Sequence, residues 1–287
     1  MEKCVLVLGA TGRQGGAVAR HLANRGWAVR ALTRHPDSKR AKDLAATGMC
    51  VVQGDLKDVA SLDRALEGCH GLFVVTDSWE HGTKGEIAQG RRVAEAAKRA
   101  SVRHVVFGSV GDCRDAKAPP HFRSKGEIEA HIEQLDLPFT FLRPAFFMEM
   151  FDVKEKTAGR RTADVVWSFM RYALGATGKL QLIAVDDIGR VAADAFDDPE
   201  HHVGSVVDLA GDSLTFAQVE AIMRNRELKR PSVLPRVILK VASWASSELR
   251  ENFEFIHQGG WQMDVTAQRR SRPWLSTFDQ WAVARAA

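Results

Sequence analysis

Tyrosine is nearly absent: Tyr172 is the single one among 287 residues, so a phenol is available to chemistry at that position alone. Cysteine is sparse too, and Cys4, Cys50, Cys69 and Cys113 show neither the paired spacing of a zinc site nor that of a redox dithiol. Three of them fall with the predicted strands and read as reduced, buried thiols; Cys113 falls in a loop, where a reactive thiol is the alternative. No apolar run approaches the ~20 residues that a bilayer span needs, and the chain opens directly on a strand with no visible signal peptide, so the expected location is the cytoplasm and no membrane partner is expected. An excess of one charge is missing as well. The 40 Lys and Arg stand against 36 Asp and Glu, a formal +4 spread along the chain. The basic clusters at 224–230 and 269–272 lie near Glu248, Glu251 and Glu254 and carry no helix-turn-helix, zinc or aromatic-platform pattern, so no nucleic-acid partner is expected. His201-His202 has no third ligand at useful spacing, and no metal is expected.

What the chain does have is an apolar strand, Val5-Leu6-Val7-Leu8, running into Gly9-Ala10-Thr11-Gly12-Arg13-Gln14-Gly15 and then a helical pattern with Ala17, Val18, Leu22 and Ala23. Gly9 permits a sharp turn, Gly12 has no Cβ to hold a pyrophosphate away, and Gly15 lets helix and strand approach. The positive helix end and its free N–H groups then face a phosphate. Further apolar runs at 28–33, 50–53, 71–76, 102–108 and 139–142 alternate with helical patterns at 38–47, 59–67 and 85–100. Strands too apolar for one wet face, separated by helices, predict a doubly wound parallel α/β sheet. Beyond it the spacing predicts a helix over 157–174, a strand over 180–185, a helix over 186–196 capped by an Asp, and a strand over 206–209 that closes the sheet. From 215 onward the pattern is mostly helical, with Trp244, Trp261, Trp274 and Trp281 as expected anchors. The expected division is a nucleotide core over 1–150 and a smaller substrate or partner lobe over 151–287, of which about 180–210 returns to the core.

Dinucleotide choice is read at the end of the second strand. An acid about 20 residues past the glycines would mark NAD. The chain has Thr33-Arg34-His35 there, and a guanidinium suits a 2′-phosphate, with Arg13, Lys39 and Arg40 to assist. NADP(H) is therefore the expected cofactor, a solvated helix entrance being the alternative for Arg34 and Lys39. In Gln53-Gly54-Asp55-Leu56, after the third strand, Asp55 stands where it would meet an adenine amino group.

The glycine loop, Leu32-Thr33-Arg34, Gln53-Gly54-Asp55, His121-Phe122-Arg123-Ser124-Lys125, Leu142-Arg143-Pro144-Ala145-Phe146-Phe147-Met148-Glu149 and Ala184-Val185-Asp186-Asp187-Ile188-Gly189 together resemble the NmrA-like branch of the atypical short-chain dehydrogenases/reductases. The resemblance runs from Val5 to about Gly211. It implies a Rossmann core with NADP(H) across the strand ends, contacts from Gly9, Thr11, Gly12, Arg13, Gln14, Gly15, Arg34, Lys39, Asp55 and Leu56, and a nicotinamide near Thr76, Lys125 and Pro144 to Phe147.

The wider family places a Tyr four residues before a Lys as proton donor. Here His121 precedes Lys125, and Tyr172 is followed by Ala176, so that mechanism is excluded. The resemblance leaves Lys125, His121 and Ser109 as catalytic candidates. Each has a plainer role open to it: a Lys125–Glu129 surface pair, a polar helix entrance and a turn. Two functions follow. The favoured expectation is a nucleotide-binding redox sensor acting on a regulatory protein partner; the other is an NADPH-dependent reductase of a small carbonyl, quinone or alkene, with Lys125 or His121 supplying the proton.

Overall fold

The computed structural model describes residues 3–152 and 159–286. Its elements run β1 (Cys4–Leu8), α1 (Arg13–Asn24), β2 (Ala28–Thr33), α2 (Lys39–Ala46), β3 (Cys50–Gln53), α3 (Val59–Leu66), β4 (Gly71–Val75), α4 (Ser78–Arg99), β5 (His104–Gly108), α5 (Pro120–Gln134), β6 (Phe139–Pro144), β7 (Phe146–Phe147), a 3-10 turn (Met148–Phe151), α6 (Gly159–Leu174), β8 (Lys179–Ile183), α7 (Val185–Asp197), α8 (Pro199–His202), β9 (Ser205–Leu209), β10 (Asp212–Thr215), α9 (Phe216–Asn225), α10 (Arg236–Ala245), α11 (Ser247–His257), α12 (Val265–Ser271) and α13 (Phe278–Ala286). Residues 157 and 158 of the expected helix over 157–174 lie outside the described residues. The described residues divide into two compact units. The first is drawn from Met1–Arg114, His121–Arg143 and Ile188–Val207, the second from Asp115–Pro120, Pro144–Asp187 and Asp208–Ala287.

The first unit is a doubly wound α/β sheet with strand order β3-β2-β1-β4-β5-β6-β9, parallel from β3 through β6. Val5, Leu6, Val7 and Leu8 are all buried, as a central strand covered on both faces requires. Leu6, Leu8, Phe107 and Phe141 pack with Leu62 and Leu66 of α3, Val93 of α4 and Ile128 of α5. Each such side chain contributes about 1.5–3 kcal/mol of burial. The opposite face is covered by Ala17, Val18 and Leu22 of α1, and Gly189 of α7 lies so close that a Cβ there would meet Ala17 C at 2.7 Å.

Several expectations shift at element ends. The first turn of α4 begins at Ser78, not 85, because Asp77 caps it by accepting from Trp79 N at 2.8 Å; the non-helical Gly82, at φ 66°, interrupts the helix without ending it. Nor is Asp186 a helix cap. Helix α7 starts at Val185, whose N–H donates to the buried Glu149 carboxylate at 3.1 Å, so the cap comes from a residue far away in sequence. Cys50 is exposed rather than buried, and Cys69 sits in the turn before β4.

His104, fully buried on β5, shows how the sheet edge is tied. Thr140 Oγ1 donates to His202 O at 2.7 Å and so accepts from His104 Nε2 at 2.8 Å, leaving Nδ1 as a bare acceptor with no partner among the described residues. Burial, with His202 and His70 adding repulsion, pushes His104 from 6.5 down to about 4. The unfolded chain therefore takes the proton first. Its contribution is complete above pH 6.5 and is lost as pH falls from 6.5 towards 4, by about 3 kcal/mol. Unfolding free energies from urea titrations between about pH 7 and pH 4 should fall less steeply in His104→Gln by most of that amount. An unchanged profile would mean that His104 is charged in the fold without cost.

In the second unit β10 pairs antiparallel and β7 parallel with β8. Phe151 meets Trp167 and Phe278 edge to face at 5.4 and 5.9 Å. Glu149 also accepts from Trp281 Nε1 at 3.0 Å, and its burial outweighs these donors and raises its carboxyl above the ordinary range. Trp261 and Trp281 are buried anchors as expected, and Trp274 is half-buried, but Trp244 is 85% exposed on α10 and anchors nothing described.

Candidate functional site

The strand order reverses between β1 and β4, so the loops that follow them diverge and leave a crevice at their carboxyl ends. Gly9 and Val75 meet there: a Cβ on Gly9, which sits at φ 65°, would strike Val75 Cγ1 at 2.6 Å. Gly12 N donates to Gly9 O at 2.8 Å and closes the turn, and Gly12 is the N-cap of α1 with no side chain capping the helix and no acid in its first turn. That uncapped helix end fits a phosphate. The cradle is also sterically set, since a Cβ on Gly15 would stand 2.5 Å from Leu8 O and closer still to Gly9 C and O. Gln14 is buried, its Oε1 2.9 Å from where a Cβ of Gly108 would be, so its side chain turns into the sheet. Thr11 O accepts from Arg40 Nη1 at 3.4 Å, which brings α2 to the loop. Arg13 opens α1, half-buried.

At the outer end of this row the basic residues are already engaged. Arg34 is held by Glu80 through two hydrogen bonds of 2.5 and 3.1 Å, and Lys39 by Asp43 at 2.8 Å. Asp55 shapes its own turn, accepting from Lys57 N at 2.9 Å while its N–H donates to Ser61 Oγ at 3.0 Å. Leu56 packs, half-buried, against the core.

At the inner end Lys125 and Thr76 come together around a residue the motifs did not reveal. Lys125 Nζ donates to Glu86 Oε1 at 2.7 Å and to Thr76 O and Oγ1 at 3.2 Å each. Glu86, on α4 and fully buried, also accepts from Thr76 Oγ1 at 2.7 Å and from Ser124 Oγ. Burial alone would raise its carboxyl, but the Lys125 ammonium and the two hydroxyls outweigh that and hold it below 4.5. The surface pair with Glu129 is thus not formed. The detectable signal was an acid in phase with Gln89, Gly90, Val93 and Ala97, on the buried side of α4.

The His121 ring meets Phe122 edge to face at 4.6 Å and Trp79 at a tilt at 5.8 Å. Burial first, then the Lys125 charge, push it down to about 4, which disfavours an imidazolium there at neutral pH. Ser109 is bound to a different group from those that hold Lys125. Its Oγ donates to Cys113 Sγ at 3.6 Å, and Cys113 donates to Glu129, which also binds Arg143 Nε at 2.9 Å and Arg114 Nε at 2.8 Å. Burial and Glu129 raise the Cys113 thiol to about 11, which disfavours a thiolate there. Pro144 ends β6, and Phe146 and Phe147 form β7, paired with Leu182 and Ile183 in the second unit. Among the described residues no cluster suits a metal ion, and no helix is long and apolar enough to cross a membrane.

Comparison with known proteins agrees with this architecture. A (4-alkanoyl-5-oxo-2,5-dihydrofuran-3-yl)methyl phosphate reductase from Streptomyces griseus is 33% identical over 228 residues, 79% of this chain and 74% of that protein. Two solved structures share the fold at low identity. An NADPH-dependent quinone oxidoreductase from Escherichia coli, complexed with NADPH, has a TM-score of 0.77 at 23% identity and covers 99% of this chain and 100% of its own. NmrA, a negative transcriptional regulator in complex with NADP, has a TM-score of 0.75 at 22% identity, covering 99% and 95%. The NmrA-like family model matches residues 1–270, and the chain belongs to the NmrA-like family.

Proposed function

We propose that this protein is a nicotinamide-dinucleotide-dependent reductase of electron-poor unsaturated substrates such as quinones and conjugated alkenes. The observation that carries the reading is the Glu86–Lys125–Thr76 cluster at the carboxyl end of β4, in the same crevice as the glycine loop. A buried ion pair is a weak stabiliser but fixes an ammonium in place. The uncapped end of α1 and Gly12 would hold the pyrophosphate, and a bound nicotinamide supplies hydride.

Lys125 has its three N–H directions satisfied by Glu86 and Thr76, and the two longer contacts, both 3.2 Å, are the ones a ligand hydroxyl or a developing oxyanion can exchange for. Burial disfavours a charged His121 and no tyrosine stands four residues before Lys125, so the last proton is drawn from water. That suits substrates whose reduced anion is already stabilised, and it disfavours simple ketones. The family relative named a (4-alkanoyl-5-oxo-2,5-dihydrofuran-3-yl)methyl phosphate reductase is in keeping with this reading, while the fold itself is shared alike by a quinone oxidoreductase and a transcriptional regulator.

The test is nucleotide oxidation by purified protein with quinones, conjugated alkenes and simple ketones. Turnover is expected with the first two, with Lys125→Met reducing it by about 10²–10³-fold and His121→Phe changing it less than about tenfold. Tight nucleotide binding without oxidation across the panel would favour the regulatory reading instead.

A further inference from the structure

We infer that Glu80 is a specificity-determining residue of this site: its carboxylate is an internal counter-anion on Arg34 that a ligand's 2′-phosphate must displace, so it disfavours NADP(H) while leaving NAD(H) untouched. The inference rests on the proposed dinucleotide site. Arg34 directly follows β2, 22 residues past Gly12, the place from which a side chain reaches the adenosine ribose. Glu80 arrives from elsewhere, on the first turn of α4 after β4, and engages the guanidinium with both carboxylate oxygens, at 2.5 and 3.1 Å. That is the fork-to-fork geometry in which a phosphate would bind Arg34. One guanidinium face cannot hold both anions.

The surroundings give the phosphate little else. Lys39 is turned to Asp43, Arg40 reaches Thr11 O, and Asp55 adds negative charge towards Arg34. Lys57 and His81 stand near Glu80 and partly offset its charge. The pair is open to solvent, with side-chain exposures of 45% and 47%, so it is weak and exchangeable. Its turn is joined to the rest of α4 through Gly82 at φ 66° and ψ 169°, a non-helical joint.

Binding is read by calorimetry on the full chain with NADPH, NADH and the fragments 2′,5′-ADP and 5′-AMP. Glu80→Gln removes one negative charge without removing bulk, and because both partners are exposed the fold should be unaffected. NADPH and 2′,5′-ADP should then bind about three- to fivefold more tightly, with NADH and 5′-AMP changed by less than about 1.5-fold. In an Arg34→Gln background the same change should give no such gain, because the competed group is gone. Weaker NADPH binding in Glu80→Gln would overturn the inference and make Glu80 a residue that orients Arg34 for the phosphate. Equal effects on both nucleotides would overturn it too, with the dinucleotide site left standing. Failure of the parent protein to bind either nucleotide would overturn the site and this inference together.

Discussion

Replacing Glu86 by alanine is expected to lower stability by about 3–5 kcal/mol at neutral pH. The carboxylate is fully buried and accepts from Lys125, Thr76 and Ser124. Its loss leaves an ammonium on a side chain only 15% exposed, and two hydroxyls, without their acceptor. Removing both charges should be far less damaging than removing one. Glu86→Ala/Lys125→Met is therefore expected to recover much of the loss in urea unfolding, a coupling that two independent sites would not show.

The pH dependence has a definite sign. The folded carboxyl lies below its ordinary 4.5, so its contribution is present above that value and is lost as pH falls through the folded value; at low pH parent and variant should converge. A loss below about 1 kcal/mol at neutral pH would put the pair among exposed ones and remove its claim to position Lys125.

How much of this was legible in the sequence follows from how far apart the interacting residues lie. The glycine loop is a local signal: Gly9, Gly12 and Gly15 act on one another and on Leu8 within a few residues. Strands β2 and β3 match the expected 28–33 and 50–53 because turn residues bound each apolar run. Lys125 is the contrary case. A local reading offers Glu129, four residues on, yet the ammonium takes Glu86, 39 residues away, while Glu129 is claimed by Arg143 and Arg114. Periodicity reports which side of a helix is buried and is silent about which helix it meets. The pairing of Arg34 with Glu80 across 46 residues was hidden for the same reason, and with it the counter-charge at the position that favours NADP(H) on sequence grounds. The start of α7 likewise depends on Glu149, 36 residues earlier, where local reading offers an Asp cap.

Gly15→Ala is expected to abolish dinucleotide binding and to cost the fold about 1–3 kcal/mol or more. The added methyl would stand 2.5 Å from Leu8 O and nearer still to Gly9 C and O, all backbone atoms of the strand end and turn that form the cradle. No rotamer change relieves a clash with backbone. The start of α1 must move off β1, and the N–H groups of its uncapped first turn then lose the alignment a phosphate requires. A comparison at Gly12 separates sterics in the fold from sterics in the site. There a Cβ meets Gly9 O at 3.2 Å, a tight but single contact, so Gly12→Ala should unfold near the parent midpoint and lose affinity chiefly through crowding of the ligand. Affinity should fall by about 100-fold or more for Gly15→Ala and more modestly for Gly12→Ala, measured for the same nucleotide by calorimetry. Undiminished binding by a folded Gly15→Ala protein would mean that the nucleotide lies elsewhere than at this loop.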